Sequence, residues 1–423
     1  MSRAKSKAEF ACEDCGTVSA KWAGQCPGCG AWNTMSERTA PPAGPGPGSA
    51  RRGGSRLSVH ALNGPAQEPP RIVTGIAELD RVAGGGLVPG SALLMGGDPG
   101  VGKSTVLMQA AAALARAGTH VLYVSGEESV DQIRLRAGRL GVKDAPLQLS
   151  NTTDAAAVAD RMRGPDAPRV VIVDSIQTVA VPYVDAMPGA VSQLKAAANE
   201  IIGAAKASGA AAILVGHVTK DATLAGPKQL EHLVDAVFKM ESEPGQQFRI
   251  LRTTKNRYGA TDEIGVFEMT DAGMVEITNP SEMFLHERQS DIAGSAVYAG
   301  IEGTRPLLVE IQSLVSPAAF STPNRTVVGW DRGRLAMLVA VLETRCGVAL
   351  SGCDIYLNVS GGFRVTEPAA DLAVAVSLLS AASGRPLPSD QVVFGEVGLG
   401  GEIRPVSQAN LRLREAAKLG FAT

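Results

Sequence analysis

Residues 97–105 match the phosphate-binding pattern G-x-x-x-x-G-K-[ST]. In this pattern the glycines let backbone N–H groups turn toward the phosphates, the lysine reaches the β- and γ-phosphates, and the hydroxyl binds Mg²⁺. The apolar run at 91–95 predicts a buried strand before the loop, and the Ala-rich stretch at 106–116 predicts a helix after it. A chance glycine-rich turn rarely shows the full pattern in this context. The sequence therefore predicts an ATP site formed by Gly97, Asp98, Pro99, Gly100, Val101, Gly102, Lys103, Ser104 and Thr105.

Carboxylates that follow two other apolar runs complete the predicted site. Asp174 ends the run at 170–173, where a carboxylate can hold the shell of the Mg²⁺ that Ser104 also binds. Glu127 and Glu128 follow the apolar run at 121–124, and a carboxylate there can polarise the attacking water. We assign this role to Glu127, with Glu128 as the alternate. The alternative is that Glu127 and Glu128 are acids at the start of a helix, where the helix dipole favours negative charge.

Polar residues near later strands offer further contacts. His217 follows the strand predicted at 212–215 and would bind the γ-phosphate, although a structural histidine fits equally well. Lys255 and Arg257 bracket Asn256 behind a strand-like run. They suit clamping of a phosphate or contact with single-stranded nucleic acid, and a plain basic turn has the same composition.

Four cysteines have the spacing C-x₂-C-x₁₀-C-x₂-C, namely Cys12, Cys15, Cys26 and Cys29. Each C-x₂-C pair can turn two thiolates onto one ion, so the four predict a closed tetrahedral Zn²⁺ site. The segment is too short to build a core, and the metal would supply its folding energy. A pair of disulfides is the alternative, which a reducing compartment disfavours.

Two further expectations concern aromatic and sulfur side chains. Trp22 and Trp32 flank the second cysteine pair, and we expect them to form the small core of the ribbon. The alternative is that they stack on nucleic-acid bases. Cys346 and Cys353 stand apart from the cluster and are expected to be ordinary core thiols.

Composition limits the class of protein. The chain has 423 residues, 45% hydrophobic residues and a net charge of −2, so two or three globular domains are expected without a global basic signal for nucleic acid. There is no run of about 18 apolar residues and no apolar segment behind the N-terminus. We therefore predict neither a membrane span nor a secretory signal, and a cytoplasmic location.

The order of patterns predicts four regions: a zinc ribbon at 1–35, a Pro/Gly-rich flexible linker at 36–70, an ATPase domain at 71–280 and a third region at 281–423. Within the ATPase region, short continuous apolar runs at 121–124, 170–173 and 212–215 alternate with helical stretches at 155–163 and 191–207. Such runs are typical of a parallel sheet buried on both faces, so the fold class is α/β.

A series of motifs now indicates a family. The motifs are K-W-A-G-Q-C-P at 21–27, G-E-E-S at 126–129, V-D-S-I-Q-T at 173–178, G-H-V-T-K-D at 216–221, L-E-H-L-V-D at 230–235 and K-N-R-Y-G at 255–259. With the ribbon and the phosphate loop, they closely resemble the bacterial RadA (Sms) family of DNA repair ATPases, which is related to RecA. Tyr258 stands where that family usually has Phe, and the change keeps the aromatic ring.

The resemblance implies a RecA-like P-loop core that assembles as a hexameric ring on single-stranded DNA. It implies ATP-driven branch migration of recombination intermediates, with the recombinase RecA as a partner and ATP, Mg²⁺ and Zn²⁺ as cofactors. It also implies catalytic roles for Lys103, Glu127 and Asp174. Lys255 and Arg257 would complete the nucleotide site of a neighbouring subunit or couple hydrolysis to DNA grip, and the sequence leaves both open.

Residues 281–423 resemble the Lon protease domain. Lon uses a Ser-Lys dyad for catalysis. Ala369 stands where Lon has the serine, and the stretch after residues 395–397, where the lysine is expected, has no lysine before Lys418. Without a hydroxyl there is no acyl-enzyme, so we expect a proteolytically inactive scaffold. The family continues somewhat further, and the last elements are expected to be missing here. Two other classes stay open, an ATP-dependent Lon-type protease and a nucleotide-dependent regulatory switch of the RecA superfamily.

Overall fold

A computed structural model describes residues 9–12, 17–19, 21–38, 70–216, 228–242, 248–261, 263–285, 288 and 291–423. The chain divides into two compact units, Met1–Gln67 and Glu68–Thr423. The predicted boundary near 280 falls inside the second unit and stays a prediction. Across the described ranges, no helix is long and apolar enough to cross a membrane.

The first unit contains a three-stranded antiparallel sheet in the order β2-β1-β3. Its strands are β1 (Glu9–Cys12), β2 (Val18–Ser19) and β3 (Met35–Arg38). Cys12, Cys26 and Met35 are the buried side chains of its described core, and Phe10 packs against them. So small a core is in keeping with a fold that a metal ion stabilises.

Nine strands of the second unit form one sheet in the order β12-β11-β10-β9-β4-β8-β7-β5-β6. They are β4 (Ala92–Gly97), β5 (Val121–Ser125), β6 (Gln148–Ser150), β7 (Val170–Asp174), β8 (Ala211–Val215), β9 (Ala236–Glu241), β10 (Phe248–Asn256), β11 (Ile264–Thr270) and β12 (Gly273–Glu276). The helices of this part are α1 (Ala77–Val82), α2 (Lys103–Arg116), α3 (Val130–Arg139), α4 (Ala155–Arg163), α5 (Val191–Ser208), α6 (Lys228–Glu231) and α7 (Pro280–Leu285).

Strands β4 to β9 pair in parallel, and alternate residues of the central strands pack into two separate cores. Tyr123 and Ile172 lie in the core covered by α1, α2 and α3. Val124 and Val173 lie in the core covered by α4 and α5. Burial on both faces explains why these strands are continuous apolar runs, and it confirms the predicted α/β fold with a central parallel sheet.

The remaining residues form a five-stranded sheet in the order β15-β16-β14-β13-β17 and a separate β18-β19 pair. The elements are β13 (Ser295–Glu302), β14 (Arg305–Pro317), β15 (Arg325–Val328), β16 (Cys353–Val359), β17 (Val392–Val393), β18 (Glu396–Val397), β19 (Ile403–Arg404), α8 (Arg332–Cys346), α9 (Asp371–Ser383) and α10 (Ala409–Lys418). Ile355 and Leu357 pack with α8 and α9 on one face, and Val297 packs with Ala416 of α10.

The expectation that Cys346 and Cys353 are core thiols is wrong. Cys346 is exposed and Cys353 is half-buried. The reason is their position, because Cys346 ends α8 and Cys353 begins β16, and these ends lie at the surface.

A buried ion pair joins the nine-stranded sheet to the five-stranded sheet. The Arg305 guanidinium at the start of β14 lies 2.6 Å from Glu78 Oε2 of α1, and both side chains are under 10% exposed. The same carboxylate oxygen accepts from the backbone N–H of Val266 at 2.9 Å. Arg305 also donates to the carbonyl of Thr278 at 2.8 Å. With its charge and its hydrogen bonds matched in this way, the pair can be buried.

We expect Arg305→Met to lower the free energy of unfolding by about 3–5 kcal/mol, because it leaves the buried Glu78 carboxylate with only the half-exposed Arg81, 3.6 Å away, as a charged partner. The measurement is urea unfolding followed by far-UV circular dichroism. The matched control is Arg404→Met, since Arg404 pairs with Glu402 at 2.6 Å on the surface and its loss costs under about 1 kcal/mol. Equal losses in the two variants would contradict the structural role of the buried pair.

Candidate functional site

The phosphate loop connects β4 to α2 and adopts backbone conformations that favour glycine. Gly97, Gly100 and Gly102 have φ values of 154°, 79° and 111°. A Cβ on Gly97 would lie 2.5 Å from the carbonyl oxygen of Met240, whereas a Cβ on Gly100 would meet open space. The loop is therefore tightly packed against β9 at Gly97 and open at Gly100, which leaves room for an anion at the N-terminus of α2.

Lys103 curls back over this loop. Its Nζ donates to the carbonyl of Gly97 at 2.8 Å and to that of Asp98 at 2.9 Å. Burial lowers the pKa of Lys103, while the nearby carboxylates of Asp174, Asp98 and Glu127 oppose that shift. The structure thus brings Lys103, Asp174 and Glu127 together where the parallel strands end.

Asp174 ends β7 and is 6% exposed. Its Oδ2 accepts a hydrogen bond of 2.5 Å from the hydroxyl of Tyr123, a residue of the neighbouring strand β5. Asp174 and Ser104, in the first turn of α2, offer carboxylate and hydroxyl oxygens, which is the donor type that Mg²⁺ prefers. These residues fit an Mg²⁺ ion bound together with a nucleotide.

The two acids after β5 have different partners. Glu127 Oε1 accepts from the Ser175 hydroxyl at 2.6 Å, next to Asp174. Glu128 Oε2 pairs with Arg136 of α3 at 2.8 Å, so its charge is neutralised by a neighbour. Glu127 is also close enough to Lys103 to affect its pKa, and its assignment as the group that orients water stays a prediction. Sequence reasoning missed Tyr123, Arg136 and Ser175, although a tyrosine in an otherwise aliphatic run was a visible signal.

Lys255 and Arg257 lie at the other edge of the sheet. Asn256 pairs with Ala236 at the start of β9, and Ala236 pairs with Leu93 near the start of β4. The phosphate loop begins at Gly97, four residues further along β4 than Leu93, which is about 13 Å away at ~3.3 Å per residue. These two cations therefore cannot reach a nucleotide held by the phosphate loop of their own chain.

The two cations are also held differently. Lys255 Nζ donates to the carbonyls of Glu231 and Val234 at 2.5 and 2.7 Å. Burial and the nearby Arg257 lower the pKa of Lys255. The Arg257 side chain is 55% exposed and lies 3.6 Å from Asp235. Arg257 is thus the one more available to a partner. His217, the remaining predicted contact, lies outside the described residues.

The thiols of the ribbon converge as the spacing predicts. Metal-ligating sulfurs of Cys12, Cys26 and Cys29 lie within 4.8 Å of one another. The Cys12 and Cys29 sulfurs are 3.7 Å apart, close to the ~3.8 Å separation in a tetrahedral site with Zn–S bonds of about 2.3 Å. This separation is far longer than an S–S bond of about 2.05 Å. Cys15, the fourth predicted ligand, lies outside the described residues.

The expectation that Trp22 and Trp32 form the core of the ribbon is wrong. They are 58% and 70% exposed. Trp22 Nε1 donates to the carbonyl of Met35 at 3.2 Å, which holds the indole along the outside of the ribbon. A core of two cysteines and one methionine has no room for two indoles. The alternative, contact with nucleic-acid bases, stays a prediction.

We expect Cys26→Ala to lose the bound Zn²⁺, because it removes one of four thiolates from a closed site. The measurement is zinc content of the purified protein by mass spectrometry. The matched control is Cys346→Ala, an exposed cysteine outside the cluster, which should keep one zinc per chain. Full zinc content in Cys26→Ala would remove this residue from the metal site.

Comparisons with known proteins agree with this geometry. Residues 65–223 match the AAA domain family, and residues 10–37 match the rubredoxin metal binding domain family. DNA repair protein RadA of Brucella abortus (strain 2308) is 54% identical, over 99% of this chain and 91% of the relative. RadA of Bacillus subtilis (strain 168) is 47% identical over 99% and 92%, and RadA of Rickettsia felis (strain ATCC VR-1525 / URRWXCal2) is 46% identical over 99% and 93%. The chain therefore belongs to the RadA family of DNA repair ATPases, with an N-terminal zinc ribbon and a RecA-like P-loop core.

Proposed function

We propose that this ATPase promotes branch migration and strand-exchange extension of recombination intermediates by ATP-driven movement on single-stranded DNA. The observation that carries the proposal is the placement of Lys255 and Arg257 at the sheet edge opposite to the phosphate loop. A cation so placed can stabilise the γ-phosphate only in a neighbouring subunit, as in ring-shaped motors where each site is completed in trans. A homo-oligomeric ring, hexameric by resemblance, is therefore part of the proposal.

The residues of one chain supply most of the chemistry. The backbone of the phosphate loop and the Lys103 ammonium bind the β- and γ-phosphates. Ser104 and Asp174 would hold Mg²⁺, which would neutralise charge on the phosphates. Glu127 accepts a hydrogen bond from Ser175 in this structure and orients the attacking water when nucleotide is present. To reach the phosphates, the Lys103 ammonium exchanges its two carbonyl partners, Gly97 and Asp98, for phosphate oxygens.

The ribbon and the C-terminal region have supporting roles in this proposal. The ribbon contacts single-stranded DNA or the recombinase RecA. The region from 281 is a scaffold for ring assembly. Ala369 is buried and ends in a methyl group, so it offers no nucleophile for proteolysis. The proposed place of action is the cytoplasm, where chromosomal recombination intermediates occur in bacteria.

We expect Lys103→Ala to reduce ATP turnover at least about 100-fold, because it removes the cation that stabilises charge on the transferred phosphoryl group. The measurement is phosphate release with and without single-stranded DNA. The matched control is Lys206→Ala, an exposed lysine of α5, which should keep full turnover and its stimulation by DNA. Near-normal turnover in Lys103→Ala would overturn the site. Wild-type turnover that DNA leaves unchanged would favour a nucleotide-dependent switch instead of a motor.

Arg257→Ala is expected to lose branch migration, because it removes the proposed contact with the neighbouring nucleotide or with DNA. The variant should keep its fold, because the Arg257 side chain is exposed and its ion pair with Asp235 is long. Lys255→Ala should also lose branch migration. In addition it should destabilise the turn after α6, because it removes two hydrogen bonds to backbone carbonyls. Migration is measured on synthetic three-strand intermediates.

A mixture of subunits separates the two roles left open for these cations. Arg257→Ala keeps an intact phosphate loop, and Lys103→Ala keeps an intact Arg257. If Arg257 acts on the neighbour's nucleotide, mixed rings recover part of the ATP turnover that each variant lacks alone. If turnover is normal in Arg257→Ala and only migration is lost, Arg257 acts on DNA. Normal branch migration in both Lys255→Ala and Arg257→Ala would remove these two residues from the mechanism.

A further inference from the structure

Tyr123 is a polar side chain inside an aliphatic strand. It is fully buried in β5, among the apolar residues that pack against α2 and α3. Its partner in the parallel pairing with β7 is Ile172, and its hydroxyl reaches two residues further along β7 to Asp174 Oδ2, at 2.5 Å. A phenylalanine would fill the same space, so packing alone does not require the hydroxyl.

Arg136 of α3 fixes this hydroxyl from the other side. One of its nitrogens donates to the Tyr123 hydroxyl at 3.1 Å, and its guanidinium carbon lies 5.8 Å from the centre of the Tyr123 ring. The same nitrogen lies 2.8 Å from Glu128 Oε2. Helix α3 is anchored directly after Glu128 by a capping box between Ser129 and Gln132. The position of Arg136 is therefore set by the chain segment that also carries the two candidate acids.

These contacts form one chain of charge-assisted bonds from Asp174 through Tyr123 and Arg136 to Glu128. We propose that Tyr123 and Arg136 are positioning residues for the metal site, an inference that rests on the proposed ATPase function. The Tyr123 hydroxyl holds Oδ2 of Asp174, which leaves Oδ1 as the oxygen for the metal ion. Arg136 engages Glu128 and leaves Glu127 beside Ser175.

The physical reason is that a hard cation needs a carboxylate fixed in one orientation. Asp174 stands at a strand end, where its side chain could rotate away from the loop. Outer partners that orient a ligating carboxylate commonly contribute 10–100-fold to metal affinity or activity. A buried hydroxyl does this at low entropic cost, because the tyrosine ring is already immobilised by its packing.

The test is Tyr123→Phe, with nucleotide binding as the readout in place of turnover. Affinity for a fluorescent, non-hydrolysable ATP analogue is measured without and with Mg²⁺, and the ratio gives the gain from the metal. In the variant we expect this gain to fall about 10-fold, while the affinity without Mg²⁺ stays at the wild-type value. A loss of packing would instead weaken binding in both conditions.

The chain offers a matched control in Tyr298. This tyrosine of β13 is also buried, and its hydroxyl donates to a carboxylate, Glu367, which Arg412 pairs at 2.7 Å. Tyr298→Phe removes the same kind of bond away from the phosphate loop and should keep the full metal gain. If Tyr123→Phe is too unstable to measure, Arg136→Gln serves, because Arg136 lies nearer the surface. It should lose part of the gain, and Arg136→Lys should restore some of it.

The outcomes separate this inference from the proposed function. A wild-type protein whose nucleotide affinity does not respond to Mg²⁺ would overturn the assigned metal site and with it the ATPase mechanism. A normal wild-type gain that persists unchanged in both Tyr123→Phe and Arg136→Gln would overturn the positioning role alone. A gain lost equally in Tyr298→Phe would show a general effect of stability and would also refute the inference.

Discussion

The common direction of β4, β5, β7 and β8 is the constraint on which the site depends. Parallel strands all end at the same edge, and both faces of this sheet are covered by helices. The polar groups that do chemistry are therefore confined to the residues where strands end. Gly97, Ser125 and Asp174 occupy these ends, and the N-terminus of α2 opens toward them. Burial lowers the pKa of Lys103, and the surrounding carboxylates oppose that shift.

The antiparallel extension β10 to β12 places a basic turn at the opposite edge of the sheet from the phosphate loop. Because β10 runs against β9, its last residues return to the edge from which β4 starts. One sheet thereby separates a phosphate-binding edge from a basic turn by the length of a strand. The proposed ring would bring the two edges of neighbouring subunits together.

The same extension connects the phosphate loop to the C-terminal sheet. Gln109 of α2 exchanges two hydrogen bonds with the backbone of Met274 in β12, at 2.9 and 3.1 Å. A few residues later Thr278 accepts from Arg305, which is paired with Glu78. The helix that follows the phosphate loop and the strand that begins the five-stranded sheet are thus joined through one hairpin. This continuity explains why Glu68–Thr423 is one compact unit.

The sequence by itself determined the features that depend on local pattern. The loop at 97–105, the buried strands and the spacing of the cysteines are each encoded within a short window, because glycine conformation, strand burial and thiol geometry act over a few residues. Only the tertiary structure decided which side chains meet across the sheet or face solvent. Tyr123 and Asp174 are 51 residues apart in the chain, and Trp22 and Trp32 are exposed although their type predicts burial. Such contacts follow from strand order, register and the volume of each core, which no local window contains.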